Sequence, residues 1–176
     1  KVGDDIWVSG QTGEAALALA ILQGRVKEPA LERHTPTAMN RLEFPQPRLA
    51  LGERLLPLAH SAIDVSDGLV ADLGHIAAAS GVTAQIRYGA VPRSEIFSEV
   101  PDDLAQEFLL SGGDDYELLF TASPDVRDRL HALSVELDLR LTRIGAMISG
   151  VGEVIVLGKD GLPMALSRRG FDHFAS

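Results

Sequence analysis

The segment Ile63-Asp64-Val65-Ser66-Asp67-Gly68-Leu69 joins a short apolar strand to a helix with almost no loop between them. Ser61 to Val65 reads as the strand. Leu69, Leu73, Ile76 and Ser80 recur at helical spacing, and Gly81 stops the helix. Ser66 has the chemistry of a helix cap. A strand end running into a helix start turns free backbone N–H groups, at the positive end of the helix dipole, toward an anion. Asp64 and Asp67 flank that position. Two carboxylates repel a phosphate unless a hard cation lies between them, and magnesium bridges carboxylates to phosphate oxygens. Ser66 can donate its hydroxyl to a phosphate, and Gly68 permits close backbone approach.

A second acidic segment, Ser111-Gly112-Gly113-Asp114-Asp115-Tyr116-Glu117-Leu118, repeats the theme. A helix stop and a tight turn are followed by three carboxylates in four residues. Such crowding is costly without a cation or a donor. Tyr116, Leu118 and Phe120 are expected on one face of the strand, facing the core. Residue types alone leave a capped turn and a solvated acidic loop open as readings beside a magnesium and phosphate site.

The rest of the chain alternates helices and strands. Strands are expected at Ile6–Ser9, Val82–Tyr88, Tyr116–Thr121 and Leu139–Ile144, with a hairpin at Lys159-Asp160-Gly161 between 153–157 and 163–166. Helices are expected over 14–23, near 37–42, over 49–59 with Pro57 bending or shortening it, over 102–110, and from Ser123-Pro124 to about Leu137. Interleaved helices and a terminal hairpin imply one α+β domain of layered α/β type. Its sheet should be mixed, largely antiparallel and packed with helices.

Composition narrows the function classes. Apolar residues make up 45% and charged residues 23% of 176, values of a globular chain. A net charge of −9 argues against broad binding of nucleic acid or an anionic membrane, so neither is expected as a partner. There is no cysteine, hence no disulfide and no thiolate metal site. No apolar run reaches membrane-spanning length, and a cytoplasmic setting is expected. Lys1-Val2-Gly3-Asp4-Asp5 runs directly into Ile6-Trp7-Val8, which reads as a piece of a longer chain entered before a strand.

Other candidates point less clearly to chemistry. Gly10-Gln11-Thr12-Gly13 lacks the lysine and the glycine spacing of a P-loop and reads as a structural turn. His60 and His75 lack metal-ligand spacing. The tail Arg168-Arg169-Gly170-Phe171-Asp172-His173-Phe174 can grip a phosphorylated aromatic ligand or dock the C-terminus.

The two acidic segments, together with Asp72-Leu73 and His75-Ile76, resemble the thiamine-monophosphate kinase family. Gly3-Asp4, Val8-Ser9-Gly10, Pro45-Gln46-Pro47-Arg48 and Gly170-Phe171-Asp172-His173-Phe174 match it too. The resemblance covers the whole chain but only the C-terminal half of the family's protein. That family groups with aminoimidazole ribonucleotide synthetase, selenophosphate synthetase and the hydrogenase-maturation dehydratase. The resemblance implies ATP-dependent phosphorylation of thiamine monophosphate to thiamine diphosphate, with ATP as co-substrate. It makes Asp64 and Asp67 magnesium ligands and Ser66 an ATP contact. It sets Asp115 at the substrate with Asp114 beside it, and Phe171 against the thiamine moiety. It also implies an absent N-terminal domain that carries other ligands and most of a homodimer interface. The competing readings are another ATP-dependent member of the superfamily and a ligand-binding domain without chemistry.

Overall fold

The computed structural model describes residues 1–26, 31 and 33–166. Phe171 and the rest of the expected ligand-gripping tail lie outside the described residues. The elements in chain order are β1 (Asp5–Ser9), α1 (Glu14–Leu22), α2 (Thr35–Glu43), α3 (Leu49–Leu55), β2 (Ala59–Asp64), α4 (Leu69–Ser80), β3 (Thr83–Arg87), α5 (Asp102–Ser111), β4 (Leu118–Ala122), α6 (Arg127–Glu136), β5 (Leu141–Ile148) and β6 (Val154–Leu157). They form the expected α+β fold, with one six-stranded sheet in the order β2-β4-β1-β5-β3-β6. Every pairing is antiparallel except β3 with β6, which is parallel.

Both faces of the sheet are covered. Ile6 and Val8 of β1 enter the larger core with α1, α4 and α5, through residues such as Leu17, Leu73 and Leu109. Trp7, pointing the other way because strand side chains alternate, enters a second core with Phe120, Leu51, Leu55 and Leu130. β4 splits likewise: Leu119 faces one core and Phe120 the other. The expectation that Tyr116 shares a core face with Phe120 therefore fails. Tyr116 precedes the strand and is 38% exposed.

Local boundaries follow local chemistry. Gly81 ends α4 in the left-handed conformation. Ser123 caps the turn that opens α6, accepting from the Asp125 N–H. The helix expected over 49–59 stops at Leu55, because Pro57 cannot continue it and Ala59 already belongs to edge strand β2. The terminal hairpin contracts to a bridge between Leu157 and Pro163. No helix among the described residues is long and apolar enough to cross a membrane.

Candidate functional site

The two acidic segments lie side by side. The Val65 N–H donates to the Glu117 carbonyl (2.8 Å), the Tyr116 N–H to the Val65 carbonyl (2.9 Å) and the Asp114 N–H to the Ser66 carbonyl (3.0 Å). Two glycines make this approach possible. A Cβ on Gly113 would sit 2.2 Å from the Ser66 carbonyl oxygen. One on Gly68 would sit 2.9 Å from the Ser111 backbone, at a φ of +121° that side chains rarely adopt. Asp114 and Tyr116 also hold positive φ, at 66° and 50°. For a bulky residue such as Tyr116 that is strain of about 1–3 kcal/mol, of the kind that collects at functional sites.

Ser66 does not cap α4. The helix starts after Gly68, without a side-chain cap. The anion at its N-terminus is the carboxylate of Asp72, from within the helix. One Asp72 oxygen accepts from the N–H groups of Ser66 (3.0 Å), Asp67 (3.1 Å) and Gly68 (3.1 Å). Asp72 thereby fixes the turn that carries Ser66 and Asp67. Burial pushes its carboxyl above the ordinary value, Asp67 adds to the push, and the three N–H bonds oppose it.

Asp67, Asp72 and His75 bring ligand atoms within 4.8 Å of one another. His75, which spacing alone did not mark, joins this group because it lies one helical turn beyond Asp72. Two carboxylates beside an imidazole form a donor set that fits a divalent cation, and the repulsion felt by Asp72 is what a cation would relieve. Asp64 is exposed at the end of β2 and is not part of the group.

Glu117 and Asp115 are engaged by the protein. Glu117 does not join an acidic cluster facing solvent. It is buried, takes a hydrogen bond from Ser9 (2.5 Å) and pairs with both arms of Arg48 (2.7 and 2.5 Å). Pro45-Gln46-Pro47-Arg48 thus delivers the cation that neutralises it. Both Asp115 oxygens lie within reach of the Gly13 N–H, at 2.9 and 2.8 Å. The Gly10-Gln11-Thr12-Gly13 turn is therefore structural, and it holds a carboxylate of the chain's own at the start of α1. Asp115 is half-exposed as a residue, but its carboxyl is enclosed. Burial pushes that carboxyl well above the usual range, the Gly13 N–H opposes the push, and Glu117 and Glu14 add to it. His60 pairs with Asp4 (2.7 Å), away from this group.

A cavity of about 330 Å³ opens beside the paired segments. Ser66, Asp67, Gly113 and Asp114 form its polar wall; Phe108 and Tyr116 belong to its apolar side. An acidic, partly aromatic recess suits a ligand with a cationic or metal-bound head and a flat apolar part.

Comparison with known proteins bears on this arrangement. Residues 1–158 match the family described as AIR synthase related protein, C-terminal domain. The thiamine-monophosphate kinase of Escherichia coli strain K12 is 41% identical over 177 residues, covering 100% of this chain and 54% of the relative. The chain spans about half the length of the curated relatives it matches. Among solved structures, the thiamine-monophosphate kinase from Stenotrophomonas maltophilia K279a is 48% identical with a TM-score of 0.82. That match covers 92% of this chain and 51% of that one. AaThiL complexed with AMPPCP and TMP is 29% identical with a TM-score of 0.78, covering 99% and 52%.

Proposed function

The chain belongs to the AIR synthase related protein C-terminal domain family, and from that premise we propose that it is the C-terminal half of a thiamine-monophosphate kinase. The reaction is transfer of a phosphoryl group from ATP to thiamine monophosphate, giving thiamine diphosphate and ADP. One observation carries the reading: the two motif segments are hydrogen-bonded to each other, and Ser66, Asp67 and Asp114 line one cavity. The relatives named above support the substrate. One of them is complexed with AMPPCP and TMP.

In this reading Asp67, grouped with Asp72 and His75, would hold magnesium, Asp64 at the exposed end of β2 would supply a ligand outside that group, and Ser66 would contact ATP. Asp114, which lines the cavity, and Phe171 serve the thiamine phosphate, and Asp115, held by the Gly13 N–H, serves it by fixing the Gly10–Gly13 turn to the motif. Magnesium, when bound, neutralises the phosphate charges that would otherwise keep two polyanions apart. The attacking group is itself an ionised phosphate, so the chain needs no strong general base. Its own residues position ligands and exclude water. Asp72 holds the Ser66–Gly68 turn, Arg48 neutralises Glu117 behind the site, and Tyr116 offers a flat wall to an aromatic ring. An N-terminal domain completes the nucleotide site and carries the homodimer interface, and the enzyme acts in the cytoplasm.

The test is a coupled assay on the complete two-domain protein. ATP-dependent formation of thiamine diphosphate from thiamine monophosphate is expected, with residues 1–176 alone giving negligible turnover. No product from the complete protein, or robust product from residues 1–176, would overturn the proposal.

A further inference from the structure

On the Trp7 side of the sheet lies a second cavity, of about 380 Å³, sharing no lining residue with the one beside the two motifs. Trp7, Arg127, His131, Arg140, Thr142 and Arg143 line it. Three arginines around one cavity stand out in a chain of net charge −9. The carboxylate bonded to them is Asp5, which takes Arg127 at 2.6 and 2.8 Å and Arg143 at 3.0 Å. Arginine presents five donors, so both partners of Asp5 keep donors for a further acceptor. Among the described residues no acidic one lines the cavity itself, and Asp5 sets one negative charge against three arginines, so the recess keeps a net positive charge for an anion.

We propose that this cavity binds a small tetrahedral oxyanion: inorganic phosphate, or the terminal phosphate of a small metabolite. Fork-shaped guanidinium groups match such an anion bidentately. The site needs no divalent cation, because its own arginines supply the charge. That separates it from the motif site, where carboxylates leave a phosphate unbound without metal.

Trp7 is the single tryptophan of the chain and reports directly on the cavity. Titrate the chain with inorganic phosphate in excess EDTA and follow Trp7 emission, then repeat with pyrophosphate and with a phosphomonoester. A saturable change is expected with phosphate. A tighter curve for the phosphomonoester identifies a metabolite as the natural source; equal curves identify the free ion. Arg140→Gln is expected to weaken binding about tenfold, the equivalent of 1.4 kcal/mol, with the thermal midpoint unchanged. Asp67→Asn is expected to leave the curve unaltered. The proposal is overturned if phosphate gives no saturable response, if Arg140→Gln binds as the parent does, or if Asp67→Asn abolishes the response.

Discussion

Asp72 accepts hydrogen bonds and carries charge, and two substitutions separate these roles. One oxygen takes the N–H groups of Ser66, Asp67 and Gly68 at 3.0, 3.1 and 3.1 Å. Asp72→Ala leaves three donors without an acceptor, each costing about 1–3 kcal/mol when buried. Gly68 is buried, whereas Ser66 and Asp67 are half-buried and regain part of the loss from water. The expected cost is therefore about 3–4 kcal/mol rather than the roughly 9 of three fully buried donors. Asp72→Asn keeps an oxygen in place. Its neutrality costs little, because burial and Asp67 already hold the Asp72 carboxyl above its ordinary value despite the three bonds. A change within about 1 kcal/mol is expected. Urea unfolding followed by Trp7 emission measures both. With a slope near 2 kcal/mol/M, Ala lowers the midpoint by about 1.5–2 M and Asn by less than about 0.5 M. In the complete protein Asn is expected to retain more of the turnover than Ala, since it keeps the turn and removes only one charge from the Asp67, Asp72 and His75 group. If Asn falls as far as Ala, the charge matters and not the acceptor, and the positioning argument is refuted. If Ala unfolds with the parent, the three bonds contribute nothing.

Arg48→Met strands a buried carboxylate, since Arg48 and Glu117 side chains are 14% and 2% exposed. It is expected to destabilise the chain by about 3–5 kcal/mol in denaturant unfolding, with Arg48→Met/Glu117→Gln recovering part. Asp115→Asn tests pH dependence. Burial raises the folded-state value of Asp115 well above 3.8, so the folded chain binds more protons than the unfolded one as pH rises from there. Stability from this group is present below pH about 4 and falls with rising pH up to the raised value. In EDTA, Asp115→Asn removes that slope and is at least as stable as the parent at pH 7; an unchanged slope contradicts the burial argument. Gly113→Ala drives a methyl group to 2.2 Å from the Ser66 carbonyl and forces the two motifs apart. Kinase turnover is expected to drop more than about tenfold, and this variant should unfold at lower denaturant.

Much of the fold was legible because its signals are local. The stripe Leu69, Leu73, Ile76, the Gly81 stop, the Ser123-Pro124 start and the Lys159-Asp160-Gly161 turn each carry their own cause. The alternation of β4 was read correctly for Leu118 and Phe120, which share the second core, and Tyr116 was misplaced because the strand begins only at Leu118 and Tyr116 precedes it at a positive φ of 50°. At the site, residue types and motif resemblance pointed to the two acidic segments. The partners of those acids were not legible. Arg48 meets Glu117 across 69 positions, and Gly13 meets Asp115 across 102. Such pairings arise from strand order. Asp72 was visible only as part of a motif, and its capping role needs the backbone of the preceding turn.

We propose that Asp67 holds the metal that brings two phosphates together. The most direct test is thiamine diphosphate formation by the complete protein against magnesium concentration, with Asp67→Asn beside the parent. Half-saturating magnesium is expected to rise by about tenfold or more, a loss of at least about 1.4 kcal/mol of metal binding. A magnesium profile identical to the parent's would remove Asp67 from the metal site and contradict that proposal.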